Sequence, residues 1–405
     1  MIDIGTGASS AKNDVAAVEE AVRLAKAKKS IKERISLALV FNSSDVPFAG
    51  VLKNISTLLP DVPVIGATVS GFFSATSVYK RGVFVALITF PEGVYFTTGH
   101  TNGVSVANSG IAAGEEMAEQ LLYGFKNVPR STSLLLFDNL AKGSTNFISG
   151  LQEKLGKSFP CVGAALANPT DSRLNCLYFN EISLTDSCVG LLLGGKVTFG
   201  FGLRHGWKPL GKPHTISSAE DNIIRTIDDA PAIELYEEYL GYDEQKIRSE
   251  FKNLSMLYPI GIKTAGQEEY LLRSIQSVES DGSIVCLGSV SPGSTIRLMI
   301  STKETCLEAT RAAINEAKTT LSLQAVKFHK EKTSKLMLVF NSFPRAVCMG
   351  KDIQTELKII NESFEPGTGI VGINTFGELA PLAAKSQLGQ TYFHNQMISI
   401  LIIEG

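Results

Sequence analysis

Val64-Ile65-Gly66-Ala67-Thr68-Val69-Ser70-Gly71 is the stretch on which the reading of the fold turns. Its apolar run reads as a buried strand, and its glycines as a turn that ends it. The pattern returns as Val162-Gly163-Ala164-Ala165-Leu166-Ala167-Asn168 and as Val371-Gly372-Ile373-Asn374-Thr375-Phe376-Gly377. Upstream of each copy stands an apolar strand with phenylalanine at its end, at residues 35–42, 133–139 and 335–341. The phenylalanine-to-glycine intervals are 25, 26 and 32 residues (41 to 66, 137 to 163, 340 to 372). Each strand follows an amphipathic helix, expected at 13–29, 113–123 and 306–319. In the first helix Val15, Val18, Val22 and Ala25 recur at helical spacing, with Asn13 or Asp14 as N-cap. A further apolar strand closes each copy, at 83–90, 188–195 and 398–403.

Four features recurring three times in one order are an internal repeat. They predict an α/β protein with mixed sheets covered by helices, built from helix–strand–helix–turn–strand units. Gly66, Gly71, Gly163, Gly372 and Gly377 are read as backbone turns. Gly and Asn both tolerate positive φ, so a shared bend is the expectation.

Residues 196–301 do not repeat. They open with FGFGLRHGWKPLGKPHTISSAEDN, which is glycine-rich strand material. A helix follows, with Pro231 suited to its first turn, Ile233, Leu235, Tyr236, Tyr239 and Leu240 on its apolar faces, and Gly241 as its stop. Strand-like runs at 283–288 and 295–300 each follow a turn signal, Asp281-Gly282 and Pro292-Gly293. The boundary between two domains is placed at 227–230, giving 1–227 and 228–405.

Composition sets the function classes. With 405 residues, 44% hydrophobic and 19% charged, the chain is long and apolar enough to bury real cores. A net charge of −2 gives no global attraction to nucleic acid or to anionic membranes. Lys26, Lys28 and Lys29 close a helix, where cations suit the carboxyl end. Six cysteines without a C-x-x-C pair argue against a thiolate zinc site or a disulfide framework. The start MIDIGTGASSAKND lacks the features of a signal peptide, and no apolar run reaches the ~18 residues of a membrane span. The expectation is a soluble, cytoplasmic protein that binds neither membrane nor nucleic acid.

Catalytic motifs are missing. The five histidines show no zinc-hydrolase spacing, and no G-x-S-x-G elbow, Walker loop or dinucleotide G-x-G-x-x-G after a strand is present. Gly200-Phe201-Gly202 lacks the third glycine. No cofactor and no metal are expected. Cys348 stands near Arg345, a cation that would lower a thiol's pKa, but no partner base is evident. The best polar cluster is Glu378, His394 and Asn395 with Arg345. A Glu and an Arg suit an amino acid's ammonium and carboxylate, because Arg holds carboxylate through paired hydrogen bonds. The competing reading has these groups bonding one another or local backbone. Arg204, His205 and Trp207 form a second cluster, either an aromatic wall for a ligand or a plug at a domain interface. Asn139 and Asn180, at strand ends, suit turn hydrogen bonds or a ligand.

These residues resemble the FIST family (F-box and intracellular signal transduction). The resemblance rests on Gly66-Ala67-Thr68 with Gly71, Leu136-Phe137-Asp138-Asn139, Val162-Gly163-Ala164, Gly206-Trp207-Lys208-Pro209, Pro231-Ala232 with Tyr239-Leu240-Gly241, Phe376-Gly377-Glu378 with Pro381, and Phe393-His394-Asn395. Two positions depart from the pattern: Phe72 follows Gly71 where an acidic residue is usual, and Asn341 follows Phe340 where cysteine is common. The resemblance implies a non-catalytic signal-input module that binds a small molecule, an amino acid being the candidate, and signals to a separate protein. Two rivals stand beside it: an enzyme on a small polar metabolite with Glu378 and His394 as acid and base, and an interaction scaffold without ligand.

Overall fold

In the computed structural model each repeat opens on a strand, not on the expected helix. The structure describes every residue except 28–30, 32–33, 76, 106–109, 139–142, 167–175, 265–268, 326–334, 366 and 382–389. Unit one runs β1 (Asp3–Ser9), α1 (Asp14–Lys26), β2 (Leu37–Ser43), α2 (Phe48–Leu58), β3 (Val64–Val69), a hairpin of β4 (Phe72–Phe73) and β5 (Val78–Tyr79), and β6 (Val83–Thr89). Unit two repeats this as β7 (Val94–Asn102), α3 (Gly110–Leu122), β8 (Arg130–Phe137), α4 (Ser144–Leu155), β9 (Cys161–Ala165), β10 (Leu177–Phe179), β11 (Ile182–Leu184) and β12 (Ser187–Gly195).

Unit three begins with β13 (Thr198–Arg204) and is then interrupted by an insert. The insert holds β14 (Lys208–Glu220), β15 (Ile223–Ile227), β16 (Ala230–Pro231), α5 (Glu234–Leu240), α6 (Glu244–Leu257), β17 (Ile260–Lys263), β18 (Tyr270–Arg273), β19 (Ile275–Val278), β20 (Ile284–Cys286) and β21 (Thr295–Ile300). The unit resumes with α7 (Lys303–Ala325), β22 (Lys335–Ser342), α8 (Phe343–Met349), α9 (Ile353–Glu362), β23 (Gly369–Thr375), β24 (Gly377–Pro381), β25 (Thr391–His394) and β26 (Ile398–Glu404).

Within each unit the two middle strands pair in parallel: Ala38 opposite Val64, Ser133 opposite Cys161, Leu336 opposite Gly369. The hairpin of each unit leaves its own sheet. β10–β11 extends β3 of unit one, β24–β25 extends β9 of unit two, and β4–β5 extends β23 of unit three. This cyclic exchange covers the open edge of every third strand and locks the units into one body. The inner faces of the three sheets share one core, with Phe41, Ile65, Leu136, Val162, Phe340 and Val371 among its members. The helices pack outside over separate cores. Helix α1 shows why: Asn13 caps it by accepting from the Ala16 N–H at 2.9 Å, and Ala17, Val18, Ala21, Val22 and Ala25 form its buried face.

The insert has its own core, including Ile216, Ile224, Leu235, Ile247 and Leu298, and its own eight-stranded sheet. Residue 227 falls inside that sheet, since β14 and β15 lie before it and β17 to β21 after it.

Two expectations are corrected. The repeated glycines are not positive-φ turns. Gly66, Gly163 and Gly372 lie within strands and Gly377 starts one, and neither these nor Gly71 has positive φ. A Cβ on Gly66 would lie 1.8 Å from the Val40 carbonyl oxygen, and one on Gly163 2.0 Å from that of Leu135. Close backbone approach, not a bend, is what demands glycine there. The alignment of Phe41, Phe137 and Phe340 is also off by one in unit two. Val40, Leu135 and Val339 stand opposite the three glycines, so Leu136 is the equivalent of Phe41 and Phe340. A one-residue shift changes faces. Phe137 accordingly points outward and meets Phe147 edge-on at 5.1 Å.

Candidate functional site

The hairpins show where unit three differs from its siblings. Opposite the residue after each strand glycine stand Phe72, Leu177 and Glu378, and their cross-hairpin partners are Tyr79, Leu184 and His394. Units one and two thus place Phe72 stacked on Tyr79 (5.2 Å) and Leu177 opposite Leu184 against the common core. Unit three places a carboxyl and an imidazole at that position, and both are fully buried.

Each polar group there has a definite partner. The Thr375 hydroxyl donates to Glu378 Oε1 (2.5 Å), and the Met397 N–H donates to Oε2 (3.2 Å). Burial pushes the Glu378 carboxyl up to about 8, against the pull of these donors and of Arg345. His394 Nε2 donates to the Ala380 carbonyl oxygen at 3.0 Å, which puts the proton on that nitrogen. Burial drives the imidazole down to about 3, so it is neutral at pH 7. Its Nδ1 has no partner among the described residues.

The signs of the two shifts define a pH profile. Between 4.5 and about 8 the folded chain holds a Glu378 proton that the unfolded chain lacks, so stability falls as pH rises. Between about 3 and 6.5 the unfolded chain holds the extra proton on His394, so stability rises with pH. The sum is a level region from about pH 4.5 to 6.5, with a loss of a few kcal/mol on the alkaline side. Glu378→Gln should abolish the alkaline limb and leave the acid one. Urea midpoints at pH 6 and pH 8, below the range where the buried thiols ionise on unfolding, measure it, and a fall over that range that survives the substitution would belong to another group.

Arg345 lies next to this pair and is sealed. Its Nε donates to Asn341 Oδ1 (3.1 Å), Nη1 to the His205 carbonyl (2.6 Å), and Nη2 to Glu356 (2.7 Å), Thr310 (3.1 Å) and the Cys306 carbonyl (3.1 Å). Neither Arg345 nor Glu356 reaches solvent. Its donors are already spent on protein groups, so it holds α8 to α7, α9 and β22. Asn395 likewise serves the backbone: its Oδ1 accepts from the Ser274 N–H at 3.0 Å, and its Nδ2 donates to the His394 carbonyl. Arg204 pairs with Glu316 (2.5 Å) and Glu269 (3.6 Å), and His205 Nε2 with Glu269 (2.8 Å). Trp207 is buried and donates from Nε1 to the Leu257 carbonyl (3.2 Å), plugging the junction between the insert and α7. Asn180 sits apart at the β10–β11 turn with φ 53°, exchanging hydrogen bonds with Val64. Asn139, like Ala167 and Asn168 of the second motif, lies outside the described residues.

The residue that the sequence reading missed is Arg273, at the end of β18. It is only 5% exposed, and no carboxylate among the described residues lies within ion-pair reach of it. Nε donates to the Ser289 carbonyl (2.9 Å), and Nη1 to the Leu272 and Phe393 carbonyls (3.0 Å each). Burial pulls the guanidinium down to about 10, so it stays cationic at neutral pH. Gly288, at φ +109°, makes room for it, because a Cβ there would come within 3.1 Å of Nε. Arg273 is among the residues lining a cavity of about 230 Å³ where three bodies meet. Thr145 and Ile148 of α4 form one wall, Ile262, Leu271 and Ser289 to Ser291 of the insert another, and Gln390 to Phe393 the third. Neither Glu378 nor His394 is part of this wall. An unneutralised cation beside hydroxyls and apolar side chains is equipped to hold a small organic anion.

Among the described residues no group of His, Cys, Asp and Glu is placed to hold a metal ion. Among them no helix is long and apolar enough to cross a membrane.

The FIST N domain matches residues 36–230 and the FIST C domain residues 232–381, so the changeover falls within the insert's sheet. A search of curated proteins finds no match. Among solved structures, a chorismatase aligns over 100% of this chain and 98% of its own at 6% identity (TM-score 0.39). A cyanuric acid hydrolase from A. caulinodans aligns over the same shares at 6% identity (TM-score 0.41). FIST domains are linked to sensing and signal transduction. With the two domain matches together spanning most of its length, the chain belongs to the FIST family.

Proposed function

We propose that this chain is a non-catalytic, cytoplasmic sensing module that binds a small carboxylate, an amino acid being the best fit, in the cavity lined by Arg273. The observation that carries this reading is a buried arginine that lines a cavity and has no acidic partner among the described residues. An uncompensated buried charge is costly, and a ligand carboxylate would supply the missing counter-charge. Gln390 and the serine hydroxyls suit the ammonium and polar groups of the same ligand. The burial of Glu378 and His394 away from the cavity favours binding over acid–base turnover. Because the cavity joins unit two, the insert and the third hairpin, a ligand there would tighten their packing and pass the signal to a separate partner protein.

Arg273→Gln should weaken amino-acid binding about 10- to 100-fold, the worth of a charged hydrogen-bond pair. Arg273→Lys, which keeps the charge but loses the fork, should fall between. Calorimetric titration of the three proteins with the ligand that binds wild type measures this. Equal affinities would remove Arg273 from the site. Identical scattering profiles with and without ligand would sink the packing change.

A further inference from the structure

Outside that cavity two sulfurs share one small core. Cys306, in the first turn of α7, and Cys348, in α8, pack into the same small core, and each thiol perturbs the other. Cys306 is buried and Cys348 is partly exposed, so one member of the pair meets reagents from outside and the other waits behind it. Ser301 Oγ lies 3.4 Å from Cys348 Sγ, and Lys303 and Arg345 bring positive charge to it. The pair sits in a small core with Trp207, Leu272, Met299 and Met349, at the point where the chain re-enters unit three after the insert. The other four cysteines are each buried.

We infer that Cys348 and Cys306 form a peroxide-responsive thiol pair, Cys348 the attacking thiolate and Cys306 the resolving thiol, which closes to an intramolecular disulfide. The Cys348 thiolate attacks one oxygen of a hydroperoxide, and the other oxygen leaves with its substituent as an alcohol or, from hydrogen peroxide, as water. Cys348 becomes a sulfenic acid. The Cys306 sulfur then attacks the Cys348 sulfur, its proton leaves with the hydroxyl as water, and two thiols have been oxidised by one peroxide. Three features favour the first step. The Cys306 thiol, the Ser301 hydroxyl and the nearby cations hold the Cys348 thiol down at about 6, while its interaction with Cys348 and then burial push Cys306 up. The bridge would tie the first turn of α7 to α8, next to the Cys306 carbonyl that accepts from Arg345.

The test is peptide mapping of the full-length protein after stoichiometric hydrogen peroxide. The expected result is loss of two of the six thiols and one disulfide-linked peptide pair holding Cys306 and Cys348. Cys306→Ser should abolish that pair and leave a sulfenic acid on Cys348 that a dimedone probe traps. The rate of Cys348 alkylation should also have its midpoint near pH 6 in wild type and at least one pH unit higher in Cys306→Ala, which leaves no donor at that position. Peroxide treatment of wild type that links no Cys306 to Cys348, or an alkylation midpoint near that of an ordinary thiol, would overturn the inference. Both readings are made on wild type, so neither depends on how well the variant folds.

Discussion

Arg345→Met should cost about 3–5 kcal/mol of folding stability, because it strands a buried carboxylate. Glu356 is 1% exposed, and it would keep only Asn341 (2.7 Å) and the Thr310 hydroxyl (2.5 Å) as donors against its charge. The His205 carbonyl would lose its arginine donor at the same time, and the Cys306 carbonyl would keep only the Thr310 hydroxyl among its side-chain donors in the described residues. Arg345→Met with Glu356→Leu should recover most of the loss, since two apolar groups leave no charge behind. Urea unfolding of the single and double variants measures the coupling. A single variant within 1 kcal/mol of wild type would show that the pair is not sealed as described.

Gly66→Ala should be as damaging, at about 4 kcal/mol or more, because its Cβ would meet a neighbouring backbone rather than a side chain that can turn aside. The Val40 carbonyl oxygen, 1.8 Å from that Cβ, is fixed in the parallel ladder between β2 and β3. Gly163→Ala meets the Leu135 carbonyl oxygen at 2.0 Å in the equivalent ladder and should behave alike. Gly50→Ala is the control. It lies in helix α2 with nothing within 4 Å of the added carbon, so it should be neutral or stabilising by about 0.5–1 kcal/mol. Thermal unfolding of the three variants separates these outcomes, and a benign Gly66→Ala would refute the close-approach account of the repeated glycine.

What the sequence made legible, and what it hid, follows from the range of the interactions. Local pattern found the strands at 35–42, 133–139 and 335–341, the helices between them and the α/β class. It missed β1 and β7 as opening strands, and it read β13 as glycine-rich strand material without assigning it to unit three. β7 is only partly buried and carries threonines and a histidine, and β13 is separated from its helix by the whole insert. The exchange of hairpins joins residues as distant as Glu378 and Ala164, which no local period records. The glycine motif was found but its cause was misread, because crowding by Val40 exists only once the sheet has formed.

At the site, sequence chemistry singled out Arg345, whereas Arg273 is the buried arginine without an acidic partner among the described residues. Arg345 drew attention beside Phe340 and Asn341, yet Glu356 already neutralises it. Arg273 lies in Leu271-Leu272-Arg273-Ser274, an ordinary strand run with no motif around it. Its distinguishing property is that no carboxylate among the described residues folds up against it, and that is a fact of tertiary structure. Glu378 and His394 did carry a legible signal. At their positions in the repeat the other units place Phe72 with Tyr79 and Leu177 with Leu184, a contrast that emerges once the three hairpins are aligned.

Recognition of a ligand carboxylate by Arg273 is measured most directly by thermal shift of the purified full chain against the twenty amino acids, each beside its carboxamide. A ligand at a hundred times its dissociation constant adds about 2.7 kcal/mol, a rise of a few degrees in a protein of this size. The expected result is a rise with at least one amino acid, and a clearly smaller one both with the matching amide and in Arg273→Gln. A silent panel, or an amide that stabilises as well as its acid, would contradict the assignment of a carboxylate to Arg273.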